Sequence, residues 1–130
     1  MDKKKHRVFV YGTLRKGGAN DHYLNGATCI CERCWVYGAL HDTSFGYPVL
    51  KETEQRRIIG ELYEVSNEQL AQLDVLEDFI ATRESNEYER VVRTVFTEKS
   101  ESEAFFYIAG KRLEQVDRLI KENDWLAYLK

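Results

Sequence analysis

Residues 58–76 read IIGELYEVSNEQLAQLDVL and place a strand directly before a helix. The first eight residues are rich in Ile, Val, Leu and Tyr, which is typical of a strand, and the glycine at position 60 indicates a bulge or a close backbone approach. Ser66-Asn67-Glu68-Gln69 has the capping-box pattern, in which Ser66 is the N-cap and Gln69 reaches back to it. Leucines then recur at helical spacing, at positions 70, 73 and 76. This stretch predicts a strand over Ile58 to Val65 and a helix that begins after Ser66.

Segments with strand character dominate the rest of the chain. They are Arg7 to Tyr11, Ala27 to Leu40, Tyr47 to Leu50, Tyr88 to Thr97 and Ala104 to Ala109. The last two flank a charged turn at 98–102 and predict a hairpin. A second helix is predicted from about Lys111 to Tyr128, with an apolar face of Leu113, Val116, Leu119 and Ile120. Many strands with two helices, and no regular alternation between them, favour the α+β class. We expect a mostly antiparallel, barrel-like sheet covered by helices.

Composition and charge narrow the class of protein. The chain has 130 residues, which predicts one domain over residues 1–130. Apolar residues make up 43% and charged residues 32%, a globular balance, and the net charge of −3 gives no support to nucleic-acid binding. No apolar run approaches the roughly 20 residues that cross a bilayer. Three cysteines, an odd number, fit reduced thiols in the cytoplasm.

The first candidate site is the glycine-containing turn that follows the first strand. Residues 11–18 read YGTLRKGG. Glycine allows a sharp turn and brings main-chain N–H groups close to a ligand, so that successive N–H groups form a concavity suited to a carboxylate or phosphate. The spacing matches neither the P-loop nor the dinucleotide-binding fingerprint. An ordinary glycine loop leaving a strand is the alternative.

The second candidate is Glu77, at the end of the first predicted helix. At about 100° per residue, Glu77 falls between Leu70 and Leu73, inside the apolar arc, while Asp74 and Asp78 fall outside it. A carboxylate on an apolar face has a raised pKa, which suits a general base that later acts as an acid. The alternative is that the helix frays before Glu77 and leaves its side chain exposed.

Other chemistry-bearing residues form weaker patterns. Cys29, Cys31 and Cys34 do not have the spacing of a zinc site, and we interpret them as small buried residues, with Cys29 and Cys31 on one face of a strand. The Gly-x-Ser-x-Gly motif of serine hydrolases is absent from the sequence. We therefore expect no metal and no cofactor.

An ordered set of motifs resembles the gamma-glutamylcyclotransferase-like family. The set covers residues 7 to 109, most of the chain, and is more specific than any single motif in it. Its members are Phe9-Val10-Tyr11-Gly12-Thr13-Leu14-Arg15, Asn20, Gly46-Tyr47-Pro48-Val49-Leu50, Gly60-Glu61-Leu62-Tyr63-Glu64-Val65, Leu73-Asp74-x-x-Glu77, Tyr88-x-Arg90-x-Val92 and Tyr107.

The resemblance implies a small mixed β-barrel with helices packed outside it. It implies that the loop of Tyr11, Gly12, Thr13 and Leu14 holds the gamma-glutamyl head of a small substrate, that Glu77 is the catalytic carboxylate, and that Tyr107 contacts substrate. The implied reaction is intramolecular aminolysis, in which the α-amine attacks the γ-carbonyl and releases 5-oxoproline (pyroglutamate) without a metal. Two features depart from the family. Asp78 follows Glu77 where glycine is common, and the segment from Glu77 to Tyr88 is longer and carries Glu84 and Glu87.

Two other functions fit the same residues. In one, the pocket is a non-catalytic binding module for a gamma-glutamyl or other small anionic ligand. In the other, Glu77 works with a second carboxylate, Asp74 or Glu84, in a glycosidase-like hydrolase, which requires both groups to face one cleft. The leaving group of the substrate and the oligomeric state stay open.

Overall fold

The structure, a computed structural model, describes residues 4–130, apart from the side chains of residues 54 and 55. Short 3-10 turns occur at Asp21–Leu24 and Lys111–Leu113. None of the helices between residues 4 and 130 is long and apolar enough to cross a membrane. In chain order the strands and α-helices of this range are β1 (Lys5–Val10), β2 (Thr28–Asp42), β3 (Pro48–Ser66), α1 (Asn67–Leu76), β4 (Tyr88–Phe96), β5 (Glu101–Ala109) and α2 (Trp125–Tyr128).

The five strands form a closed mixed barrel in the order β1-β3-β2-β4-β5. Four of the neighbouring pairs are antiparallel. β1 and β5 pair in parallel through Val8 and Phe105, and this contact closes the barrel. The predicted small mixed, mostly antiparallel barrel is confirmed.

Apolar residues cover both faces of the sheet. Along β1, Phe9 belongs to one buried cluster, whereas Val8 and Val10 belong to another. The second cluster includes Leu70 and Leu73, so α1 packs its leucine face against the sheet. Trp125 of α2 joins the first cluster. Alternation along a strand therefore sends successive side chains to opposite layers.

The capping box at the start of α1 forms as predicted. The Gln69 N–H donates to Ser66 Oγ at 3.1 Å, and the Ser66 N–H donates to Gln69 Oε1 at 3.2 Å. The helix begins directly where β3 ends and has its last residue at Leu76. The Glu77 N–H still bonds to the Leu73 carbonyl at 2.9 Å, so Glu77 lies in a fixed position at the helix end.

The sequence predicted two separate strands, Tyr47 to Leu50 and Ile58 to Val65, and this division is wrong. They are the two ends of the single long strand β3. Pairing with β2 jumps from Gly38–Arg56 to Ala39–Lys51, so residues 52–55 lie outside the β2 register. Glycine is required at Gly60, where a Cβ atom would collide with the Val10 carbonyl and the Phe9 ring. The predicted close backbone approach at this position is confirmed.

The long C-terminal helix predicted from Lys111 to Tyr128 is wrong. Only the turn Lys111–Leu113 and the short α2 are helical there. Between them the chain runs along the barrel, where the Ile120 N–H donates to the Leu40 carbonyl at 2.9 Å and the Ile59 N–H donates to the Asn123 carbonyl at 2.8 Å. Strand partners satisfy main-chain groups that a helix would have satisfied internally. The apolar residues of the predicted face divide between buried Leu113 and Ile120 and exposed Leu119.

The prediction that the three cysteines are buried holds for only one of them. Cys34 is buried and its Sγ contacts the Gly60 carbonyl at 3.5 Å, but Cys29 is exposed and Cys31 is half-buried. Register shifts between Cys29 and Cys31 and between Cys31 and Cys34 interrupt the alternation of β2. These irregularities break the two-residue period on which the prediction depended.

Candidate active site

A cavity of about 200 Å³ lies where the end of β1, the turn before β3, the end of α1 and strands β4 and β5 meet. The six site residues predicted from the sequence all line it, and several residues that were not predicted join them. The lining residues are Phe9, Val10, Tyr11, Gly12, Thr13, Leu14, Asn20, Tyr47, Pro48, Leu76, Glu77, Glu87, Tyr88 and Tyr107.

The turn after β1 lines this cavity and contains unused main-chain donors. Its conformation is held by the Arg15 N–H on the Gly12 carbonyl at 3.1 Å and by the Asn20 N–H on the Thr13 carbonyl at 2.8 Å. The Asn20 side chain also donates to Thr13 Oγ1 at 3.0 Å. The N–H groups of Gly12, Thr13 and Leu14 donate to no acceptor within residues 4–130. Three consecutive free N–H groups suit an anionic oxygen.

Glycine is required at Gly12 by the close approach of Pro48. A Cβ atom at position 12 would lie 2.8 Å from Pro48 Cγ and 2.9 Å from Pro48 Cδ. Pro48 begins β3 and lines the same cavity. Any side chain at position 12 would therefore displace either the turn or the start of the strand.

Arg15 anchors the turn through side-chain contacts, a role that the sequence analysis did not assign. Its Nε donates to Glu61 Oε2 at 3.0 Å and its Nη1 donates to Asp124 Oδ1 at 2.7 Å. The Lys16 N–H donates to the other oxygen of Glu61 at 2.9 Å. Arg15 and Glu61 are both buried, so removal of either partner would leave a buried charge unpaired. The sequence did contain one signal for this ion pair, namely the charged residue Glu61 among the apolar residues of strand 58–65.

Glu77 points a carboxyl group without a partner into the cavity. The residue is half-buried, and no hydrogen bond or ion pair to its side chain is found among residues 4–130. Burial, with a smaller contribution from the charge of Glu87, raises the pKa of Glu77 from 4.5 to about 8. The alternative of an exposed side chain at a frayed helix end is therefore wrong.

Four tyrosines line the cavity together with this carboxyl group. Burial is the largest cause of a raised pKa in Tyr11, Tyr47, Tyr88 and Tyr107, and the charge of Glu77 adds to it in each. The Tyr11 hydroxyl donates to the Tyr107 carbonyl at 2.7 Å and accepts from the Leu50 N–H at 3.2 Å. Tyr11 therefore connects the end of β1 with β3 and β5, and its hydroxyl is already occupied.

Tyr107 is connected to α1 through Asp74. Its hydroxyl donates to Asp74 Oδ1 at 2.7 Å, and Arg90 Nη1 donates to Asp74 Oδ2 at 2.7 Å. The Arg90 guanidinium also lies over the ring of Phe105, 4.6 Å from its centroid. Asp74 lies less than one turn of helix before Glu77, so these contacts hold the end of α1 against β4 and β5.

The segment between Glu77 and Tyr88 is ordered by its own polar contacts. Asp78 has a φ of 54°, the left-handed conformation that glycine adopts most easily. Its carboxylate is paired with Arg83 at 2.9 Å and with Arg112 at 2.9 Å. Buried Asn86 accepts from the Ile80 N–H at 3.1 Å. Asp78 therefore has a backbone geometry that suits glycine, the residue that the family resemblance implies at this position.

The second carboxylate in the cavity is neither of those that the sequence analysis considered. Asp74 bonds to Tyr107 and Arg90, Glu84 is exposed, and neither lines the cavity. Glu87 does line it. The position of Glu87 depends on the path of the segment before β4, which no periodic pattern predicts.

The fold and the cavity together define a small barrel protein in which a desolvated acid and free main-chain donors line one cavity. Residues 8–127 match the family described as "Gamma-glutamyl cyclotransferase, AIG2-like". The chain belongs to this family.

Two relatives illustrate the match in sequence. One is the Halalkalibacterium halodurans protein named "Putative gamma-glutamylcyclotransferase BH1612", 39% identical over 104 residues, which are 79% of this chain and 91% of the relative. Another is the Niallia circulans "Gamma-L-glutamyl-butirosin B gamma-glutamyl cyclotransferase", 40% identical over 85 residues. That alignment covers 65% of this chain and 54% of the relative.

Solved structures show the same fold. The mouse AIG2-like protein superposes with a TM-score of 0.77 at 22% identity, covering 93% of this chain and 88% of that one. YkqA from Bacillus subtilis also gives a TM-score of 0.77, at 27% identity, and covers 96% of this chain but 41% of the longer YkqA chain. At this level of identity the mouse structure supports the fold alone.

Proposed function

We propose that the protein is a gamma-glutamyl cyclotransferase that releases 5-oxoproline from a small gamma-glutamyl amide. The observation that carries the proposal is one cavity that holds both the partnerless Glu77 carboxyl group and the free N–H groups of Gly12, Thr13 and Leu14. The activity named for the Niallia circulans relative is of this kind. The unpaired thiols of Cys29, Cys31 and Cys34 support a reducing, cytoplasmic location for the reaction.

The turn after β1 binds the α-carboxylate of the substrate in this proposal. Its three N–H groups provide donors without a charged side chain, and Arg15 fixes them through Glu61 and Asp124. A pre-formed set of donors costs little reorganisation when the anion arrives. Tyr107 lines the cavity from β5, the strand that pairs with β1, and contacts the bound head group.

Glu77 moves the proton. Its ionised form takes a proton from the α-ammonium, and the freed amine attacks the γ-carbonyl of the same molecule. A C–N bond closes the five-membered lactam, and the original amide C–N bond breaks. Glu77 returns this proton to the departing nitrogen, and it then carries the second proton from the α-nitrogen to the same departing nitrogen. Overall the α-nitrogen gives up two protons and the departing amine, which leaves as its cation, gains two.

The cavity environment suits this exchange. A carboxyl group with a pKa of about 8 is close in proton affinity to the amines between which it acts. Because nucleophile and electrophile belong to one molecule, the protein has to select a folded conformer of the substrate and transfer a proton. Proton transfer by a positioned group contributes roughly 10²–10⁴-fold in rate.

The test is incubation with a panel of gamma-glutamyl amines and gamma-glutamyl dipeptides, with 5-oxoproline measured by mass spectrometry. We expect release by the wild type and a loss of at least about 100-fold in Glu77→Gln. Glu84→Gln, which changes an exposed carboxylate of the same segment, is the matched control and retains activity. Thermal stabilisation by these compounds without release of product would favour a binding module instead.

A further inference from the structure

The ionisable groups that line the cavity are two glutamates, Glu77 and Glu87, and four tyrosines. No lysine, arginine or histidine is among the lining residues. Neither glutamate forms an ion pair with a basic side chain of the described residues. The proposed reaction uses the turn after β1 and Glu77, but it leaves Glu87 without a role. A half-buried carboxylate without a cationic partner is complementary to a positive charge on a ligand.

An aromatic row leads from the cavity to the protein surface. Phe45 is 75% exposed, its ring centroid lies 6.3 Å from that of Tyr47, and Tyr47 lies 6.2 Å from Tyr88, which is 3% exposed. Tyr47 and Tyr88 line the cavity, whereas Phe45 does not. The row therefore connects the buried part of the cavity with solvent.

Glu87 directly precedes Tyr88 of this row in the chain, and its backbone position is fixed. The Gly110 N–H donates to the Glu87 carbonyl at 2.8 Å, and the neighbouring Asn86 is buried. Glu87 and Tyr47 line the same cavity. Burial raises the pKa of Tyr47 to about 12, and hydrogen bonding to Glu87 and the charge of Glu87 add to this effect. A carboxylate and aromatic rings in one place are the groups that recognise an ammonium ion.

Given the proposed function, we infer that Glu87 and Tyr47 form a subsite for a positively charged group on the departing amine. The substrate class is then gamma-glutamyl amides of diamines or other amines that keep a second cationic nitrogen. A departing group with a carboxylate in the same place meets the negative charge of Glu87 and is disfavoured. The two acids have different roles: Glu77 moves a proton at the α-nitrogen, and Glu87 selects the leaving group.

The experiment compares three substrates that share the gamma-glutamyl head and differ at the far end of a chain of similar length. Gamma-glutamyl cadaverine ends in an ammonium, gamma-glutamyl pentylamine in a methyl group, and gamma-glutamyl aminohexanoate in a carboxylate. We expect wild-type kcat/KM to favour the cationic compound over the neutral one by about tenfold, and Glu87→Gln to reduce this ratio to about twofold. Because all three have the same head, an effect of Glu87→Gln on Glu77 cancels in the ratio.

Glu84→Gln is the matched control, because Glu84 is in the same segment but exposed and outside the cavity. If Glu87 alone recognises the cation, Glu84→Gln keeps the wild-type ratio of kcat/KM between the cationic and the neutral compound. An unchanged ratio in Glu87→Gln, no cation preference in the wild type, or an equal loss in Glu84→Gln overturns the subsite. If no substrate releases 5-oxoproline, the proposed function fails. In that case the ratio of dissociation constants of the same compounds, measured by calorimetry on wild type and Glu87→Gln, still decides whether the subsite exists.

Discussion

The hydroxyl of Tyr107 donates a 2.7 Å hydrogen bond to Asp74 Oδ1, which ties β5 to the last turn of the helix that delivers Glu77. Arg90 occupies the other oxygen of Asp74 at 2.7 Å. Two strands therefore fix the helix end, and with it the direction in which Glu77 enters the cavity. In the proposed reaction, the position of Glu77 thus depends on residues that need not take part in proton transfer.

Tyr107→Phe tests this connection. Loss of a hydrogen bond to a half-buried carboxylate should lower the free energy of unfolding by about 1–2 kcal/mol, and kcat/KM should fall by about tenfold because Tyr107 also lines the cavity. Urea unfolding and initial rates measure the two effects. Tyr63→Phe is the control, since Tyr63 donates to Glu61 at 2.8 Å but lies outside the lining. It should lose stability with a smaller loss of activity. A Tyr107→Phe variant unchanged in both measurements would contradict the connection.

The pH dependence of kcat/KM should report the pKa of Glu77. The ionised form is the active one, so kcat/KM should rise with pH, with unit slope, and level off above about pH 8. Glu87→Gln removes one cause of the raised pKa and should move the rise to lower pH. Initial rates on gamma-glutamyl pentylamine from pH 5 to 10 measure both curves. A profile that is flat below pH 8 would argue against Glu77 as the base.

The same carboxyl group should make stability depend on pH. The folded protein keeps the Glu77 proton up to about pH 8, whereas the unfolded chain releases it near 4.5. The folded state binds more protons between these values, so the contribution of Glu77 is favourable below about pH 4.5 and is lost as pH rises through about 8. Glutamine does not titrate, so the free energy of unfolding of Glu77→Gln does not fall with pH for this reason.

Urea unfolding at pH 5 and pH 8.5 measures the effect. Relative to wild type, Glu77→Gln should gain at least about 1 kcal/mol between the two pH values. Glu84→Gln should show no such gain, because its side chain is exposed. A difference between Glu77→Gln and wild type that is the same at both pH values would mean that the carboxyl group is well solvated.

Asp78 allows a test of the left-handed position after Glu77. Asp78→Gly should keep kcat/KM within about twofold, because glycine adopts the φ of 54° without strain. Asp78→Val should lower the free energy of unfolding by about 2 kcal/mol or more and should reduce activity, since a β-branched residue resists this conformation. Both variants lose the ion pairs with Arg83 and Arg112, so the comparison isolates the backbone. Equal losses of stability and activity in the two variants would show that the ion pairs of Asp78, and not its backbone conformation, cause the effect.

Local patterns in the sequence were enough to predict α1, the β4–β5 hairpin and the class of the fold. The capping residues Ser66 and Gln69 and the leucine spacing act within one turn of helix, so they are readable without the rest of the molecule. Glu77 was found because its position in the apolar arc conflicts with its charge. Gly12 was selected because a glycine directly after a strand allows a sharp turn that brings main-chain N–H groups close to a ligand.

Contacts between distant segments account for the parts that the sequence did not predict. The apolar residues Leu113, Val116, Leu119 and Ile120 have helical spacing, but main-chain bonds to Leu40 and Ile59 hold that segment along the barrel. The bulges of β2 shift the cysteines out of a simple alternation. The position of Glu87 depends on the path of the loop before β4. The contacts of Asp74 are with strands β4 and β5, which meet α1 only in the folded barrel.

The bond between Arg15 and Asp124 joins residues 109 positions apart in the chain. Closing so long a loop is entropically costly, and contacts of this separation form slowly compared with hairpins and helices. We therefore expect the turn after β1 to reach its native geometry late in folding, after α1 and the β4–β5 hairpin. In a refolding experiment, recovery of ligand binding should lag behind recovery of secondary structure.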